Sequence, residues 1–179
     1  MSRIPAASRD ALSPQDQNIW DRIAAVRTGM GGPYAMLMHV PALAERVAAT
    51  EDYFRFDSAL ADSDREIIIL ATARELGAHY PWTRHEIRAK QAQIGDEVIE
   101  TIRAKGPLND LSPRQALLVE IARALLGAHE LPAELFTRAE SELGRKQLVE
   151  AIALIGHYGT IGFVVNSFEV KPPAGMKTF

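Results

Sequence analysis

Apolar residues recur along this chain at helical spacing, and capping signals divide them into segments. Ser13-Pro14 with Asp16 marks the start of a helix that carries Ile19, Ile23 and Val26 on one face and ends before Gly29. The GMGGP stretch at 29–33 reads as a turn, because it lacks the spacing of a phosphate loop and no lysine-serine pair follows. Pro41 opens a further helix with Leu43, Val47 and Phe54 on one side, and the polar DSALADSD leads out of it. The run Ile67–Ala71 is too apolar for a solvated helix. Ser63 and Glu66 fit the S-x-x-E capping box, and Gly77 sits where a C-cap glycine belongs, so a helix is predicted over 63–76. Pro81 suits the first position of the next helix.

Downstream, 96–105 is amphipathic, with Val98, Ile99 and Ile102 inward. Ser112-Pro113-x-Gln115 is a second capping box and predicts a helix running to Gly127. Pro132 opens a helix over 132–143 closed by Gly144, and a last helix covers about 145–168. Gly156, Gly159 and Gly162 line one side of it, where small residues permit close approach of a helix or ligand. Leu-Gly-Ala-His at 76–79 and 126–129 suggests two distant copies of one helical hairpin. No segment alternates with the period of a half-buried strand, although FVV at 163–165 is locally β-prone. The expectation is an all-α bundle of about seven helices in one domain spanning 1–179: a helical extension over 1–30, a main body over about 30–168 and a tail over 169–179.

Length supports that, since 179 residues suit a single core. A net charge of −3 without a basic cluster gives no footprint for nucleic acid or anionic lipid. The MSRIPAASRD start has no apolar leader core, and no run approaches the roughly 18 residues of a membrane span, so a soluble cytoplasmic protein is expected. With no cysteine there is no disulfide, thiol nucleophile or thiolate metal site.

The candidate chemistry lies in the stretch 63–95. Glu66 and His85 are brought together if a helix, a turn and a second helix connect them. His85 then falls early in its helix, where the positive end of the helix dipole favours a neutral imidazole able to act as a base. Bland readings exist: Glu66 as the capping carboxylate, His85 as a structural histidine, Tyr80 and Trp82 as core aromatics rather than pocket wall. His39, His79, His85 and His157 lack an H-x3-H or HExxH spacing, so no metal is expected. On the last helix His157, Tyr158 and Asn166 read as packing or substrate contact, with packing preferred for Asn166 and His157 even between the two.

The pattern E-x11-A-H-Y-P-W-x2-H, from Glu66 to His85, resembles the core of the carboxymuconolactone decarboxylase and alkyl-hydroperoxidase-D family, and GGPYAMLMHVPALAER at 31–46 is similar to the segment that precedes it in longer members. The hydroperoxidase branch has a C-x-x-C pair; by spacing those positions are Ala78 and Pro81, so the resemblance points to the decarboxylase-like branch. It implies a helical homo-oligomer without cofactor, acting on a small carboxylate or lactone. In that branch CO2 is lost from an unsaturated lactone acid, leaving a carbanion delocalised into a carbonyl. The implied roles are His85 as proton donor or shuttle, Glu66 as its orienter and proton partner, and Tyr80 as hydrogen-bond donor. Arg88, one turn beyond His85, is preferred to Arg84 for a substrate carboxylate. Trp82, His39 and His157 are further candidate substrate contacts. Three readings stay open: a lyase or isomerase, a peroxidase-like protein, which the missing thiols disfavour, and a non-catalytic binding protein.

Overall fold

A computed structural model describes residues 2–27 and 29–179. After a 3-10 turn at Arg9–Ala11 come α1 (Pro14–Ala25), α2 (Pro33–Leu37), α3 (Pro41–Phe56), α4 (Asp62–Glu75), α5 (His79–Gln91), α6 (Asp96–Ala104), α7 (Pro113–Gly127) and α8 (Ala133–Ser167). Among the described residues there is no strand, and the all-α expectation holds.

The centre is α4, which packs on α5, α6, α7 and α8. Every residue from Glu66 to Ala73 is buried, as expected of a helix apolar on all faces. Its buried first-turn carboxylate, Asp64, is paired with Arg114 of α7 at 2.7 Å, so that this charge is compensated. On α8, Glu150 accepts from Tyr53, Ser58 and the Ala59 amide and so ties the α3–α4 connection down.

Local signals set most ends. Ser13 accepts from the Asp16 amide, and Ser112 and Gln115 form both bonds of a capping box. Gly77 has φ +63, and the Ala78 and Gly77 amides bond back to Ala73 and Arg74, which closes α4 and turns the chain directly into α5. Asn166, exposed on α8, donates to the Leu76 carbonyl just beyond the end of α4.

Other expectations are corrected. The Ser63–Glu66 capping box does not form: α4 starts at Asp62 behind Ala61, with no side-chain cap, and Glu66 turns inward. Pro81 is the third residue of α5 rather than the first, tolerable because first-turn amides lack helical partners anyway. The segment after the glycine turn is a short buried helix, α2. Along α3 the buried stripe is Ala44, Ala48 and Phe54, while Leu43 is exposed, since alanines let α3 lie close to its neighbours. Val26 is exposed in the turn after α1. The two Leu-Gly-Ala-His tetrapeptides differ in structure: Gly77 lies beyond its helix with positive φ, whereas Gly127 is the last helical residue of α7. At Gly144 (φ 68, ψ 163) α8 breaks into the two predicted helices.

Contrary to the sequence expectation, α8 holds an 18-residue window of mean hydropathy 1.7, long and apolar enough to cross a membrane; 61% of that window is buried inside the protein, as in a core helix. The tail folds back so that Phe179 stacks on His79 and meets the edge of Trp82.

Candidate active site

The α4–α5 turn sets the two helices side by side, and the nineteen-residue separation of Glu66 and His85 becomes a contact. His85 Nδ1 lies 2.6 Å from Glu66 Oε2, and both side chains are more than nine-tenths buried. On the other edge of the ring, His85 Nε2 lies 2.9 Å from the Tyr158 hydroxyl of α8. An ionised carboxylate only accepts, so Nδ1 carries the proton, and Nε2 is left to accept from the tyrosine. The result is a phenol–imidazole–carboxylate chain in which both ring nitrogens are occupied. Burial, followed by the charges of Glu51 and Glu66, pushes the Tyr158 hydroxyl well above the ordinary tyrosine value.

Tyr158 and His85 stand where two clefts meet. One, of about 310 Å³, reaches Glu66, Ile69 and Leu154; the other, of about 640 Å³, reaches Tyr34, Tyr80, Pro81 and Ile161. Both sizes are typical of small-molecule sites. Glu51, Arg55, Arg88 and Gln91 line both. Behind Glu51, the Tyr34 hydroxyl donates to Oε2 at 2.5 Å and Arg27 lies 3.6 Å away. Burial would raise the Glu51 carboxyl, but the Tyr34 bond and the Arg27 charge outweigh it and hold it below its ordinary value.

Of the residues predicted from sequence, Glu66 and His85 meet, and Arg88 shares their clefts with no hydrogen bond or ion pair to its guanidinium among the described residues. Tyr80 lines the larger cleft, as His85 does, with its ring against the glycine turn: a Cβ on Gly32 would stand 2.2 Å from it. Trp82 is corrected. It is fully buried, donates to Glu86 and lies under Arg103, outside both clefts. Steps of three residues advance a helix by 300°, so Trp82 and Arg88 fall about 120° apart on opposite flanks of His85, and only one flank is open. His39 is also corrected: it is exposed at the end of α2 and bonds the Pro5 carbonyl. His157 is buried on the far side of Tyr158, against Phe54, with Nε2 unpartnered among the described residues, and it borders a shallow groove between α3 and α8. These histidines do not converge.

Glu51 was missed as a site residue, and Tyr158, read from the sequence as packing or substrate contact, was not linked to His85. No motif links position 158 to position 85, and Glu51 sits in a polar stretch that reads as solvated helix; only the packing of α8 against α3 and α5 reveals either.

No protein-family model matches the chain, and no curated protein does. Solved structures do. An uncharacterised peroxidase-related protein from Ralstonia eutropha JMP134, described as an alkylhydroperoxidase AhpD core, superposes with a TM-score of 0.79 at 20% identity, over 97% of this chain and 93% of that one. The fold is that of the AhpD core. A cysteine-to-alanine variant of the debrominase Bmp8, in complex with 2,3,4-tribromopyrrole, superposes with a TM-score of 0.68 at 15% identity, over 96% of this chain and 91% of that one. On this AhpD-type scaffold the two positions expected for thiols hold Ala78, wholly buried at the head of α5, and Pro81, at the edge of the larger cleft.

Proposed function

We propose that this chain catalyses proton transfer at a carbon next to a carbonyl group in a small organic acid, ending in isomerisation or decarboxylation. The observation that carries the reading is the buried Glu66–His85–Tyr158 chain at the junction of two clefts. With both imidazole nitrogens engaged, Tyr158 is the group nearest to substrate. As its oxygen takes the substrate's carbon-bound proton, its own proton passes to His85 Nε2, and the imidazolium so formed lies against the Glu66 carboxylate. Reversal at a different carbon gives an isomer. In decarboxylation the bond to CO2 breaks, its electron pair enters the carbonyl, and Tyr158 protonates the resulting carbanion, with water replacing the lost proton. Arg88 is the candidate partner for the substrate carboxylate, and Tyr80 for the developing oxyanion.

A disulfide-cycling peroxidase is disfavoured, because the chain has no cysteine. The remaining alternative, a binding protein without catalysis, is separated by experiment. Purified protein is incubated in D2O with 3-oxo acids and unsaturated lactone acids, following carbon-bound deuterium by NMR and CO2 release. Exchange or CO2 above the blank is expected, reduced by about 10²–10⁴ in Tyr158→Phe and in His85→Asn. Unchanged rates in both variants, or no exchange and no CO2 with any acid, would refute the reading.

A further inference from the structure

Glu51 has no part in the proton chain, yet it faces both clefts beside His85 and Tyr158. Its side chain keeps only 12% of its surface, so a charge here is costly unless it is used. Arg27 offsets that charge from 3.6 Å without a hydrogen bond to it, its guanidinium being bonded to Asp52 at 2.8 Å and to the Ala48 carbonyl at 3.2 Å. Tyr34 fixes one carboxylate oxygen, Oε2, and the other accepts no hydrogen bond among the described residues. Arg88 presents the complementary vacancy, a guanidinium without partner among the described residues, bordering the same two clefts. Arg55 also lines them, but it is bonded to the Val26 carbonyl and stacked on Phe56. The junction therefore offers an open cation and an open, rigidly held acceptor.

We propose that the ligand of this site is a small organic acid that also carries a hydrogen-bond donor, an O–H or N–H group, with Arg88 holding its carboxylate and Glu51 accepting its donor. The inference rests on the proton-transfer reading only for calling that ligand a substrate. Glu51 is then a specificity-determining residue: an acid that lacks the donor leaves its free oxygen desolvated and unpaired.

Position-matched pairs of a hydroxybenzoate and the corresponding toluate test this, since each pair differs only by hydroxyl against methyl and the three ring positions sample three separations. In calorimetric titrations of the full chain, at one ring position the hydroxy acid should bind roughly tenfold or more tighter than its toluate. Glu51→Gln keeps the volume and the Tyr34 bond but turns an amide donor to the cleft, and should bring that pair within about threefold. Arg88→Gln should weaken both members. Equal binding within every pair, a preference that survives Glu51→Gln, or no binding of any acid at about 10 mM would overturn the proposal. The wild-type comparison stands even if a variant fails to fold. Selective binding without deuterium exchange sinks the proton-transfer reading alone, and exchange without selectivity sinks this one alone.

Discussion

At the scale of residues, the chain Glu66–His85–Tyr158 makes a stability statement as well as a chemical one. Removing one member of a buried polar pair costs about 1–3 kcal/mol, more when the survivor is charged, so His85→Asn should destabilise more than Glu66→Gln. In a double-mutant cycle by urea unfolding the two losses should be non-additive by roughly 0.5–3 kcal/mol; additive losses would mean the pair is not coupled. His157 gives a pH dependence. Burial lowers it from the ordinary 6.5, with Glu51 opposing and Arg27 and His85 adding to the shift. Its neutral form is thus favoured by folding, so the stabilisation is complete above about pH 6.5 and falls away as pH drops through the lower folded value. His157→Phe, packed on Phe54, should remove that part of the acid sensitivity, a slope of at most about 1.4 kcal/mol per pH unit. Parallel stability–pH curves for the two proteins between pH 5 and 7 would contradict it.

At the scale of elements, the glycines of α8 differ in kind. Gly144 holds φ 68 and ψ 163, a region open essentially to glycine alone, and a Cβ added there would meet nothing within 4 Å. Gly144→Ala should therefore lose about 1–3 kcal/mol through backbone strain alone. Of the three spaced glycines only Gly162 makes a close approach, where a Cβ would stand 2.9 Å from Leu76 Cδ1; Gly156 and Gly159 meet nothing within 4 Å. Gly156→Ala should instead gain up to about 1 kcal/mol of helix stability. Equal melting temperatures for the two alanine variants would show that conformation does not separate these sites.

At the scale of the whole molecule, the outer face of α8 leaves Val149 and Phe163 each more than 60% exposed, and Leu43 of α3 is nearly half exposed. We propose that such a surface is covered by another copy of the chain. Light scattering at micromolar concentration should give a mass above 19.7 kDa, and Val149→Lys with Phe163→Lys should lower it. A monomeric wild type would remove the proposal.

The sequence by itself determined the elements and most of their ends, because caps, glycine stops and apolar periodicity act within a few residues: Ser112 with Gln115, Gly77 and Gly144 each behave as their local chemistry requires. It also paired Glu66 with His85, since a tight turn between consecutive helices leaves little freedom in how they meet. The same local logic misassigned Ser63, because a capping bond and a buried hydrogen bond compete for one carboxylate, and the imidazole of the next helix won. Only the tertiary structure decided which flank of α5 is open, and hence that Arg88 borders the clefts while Trp82 is core. It alone brought Tyr158 and Glu51 to His85 from helices 73 and 34 positions away, a juxtaposition set by how whole helices pack and not by any spacing along the chain.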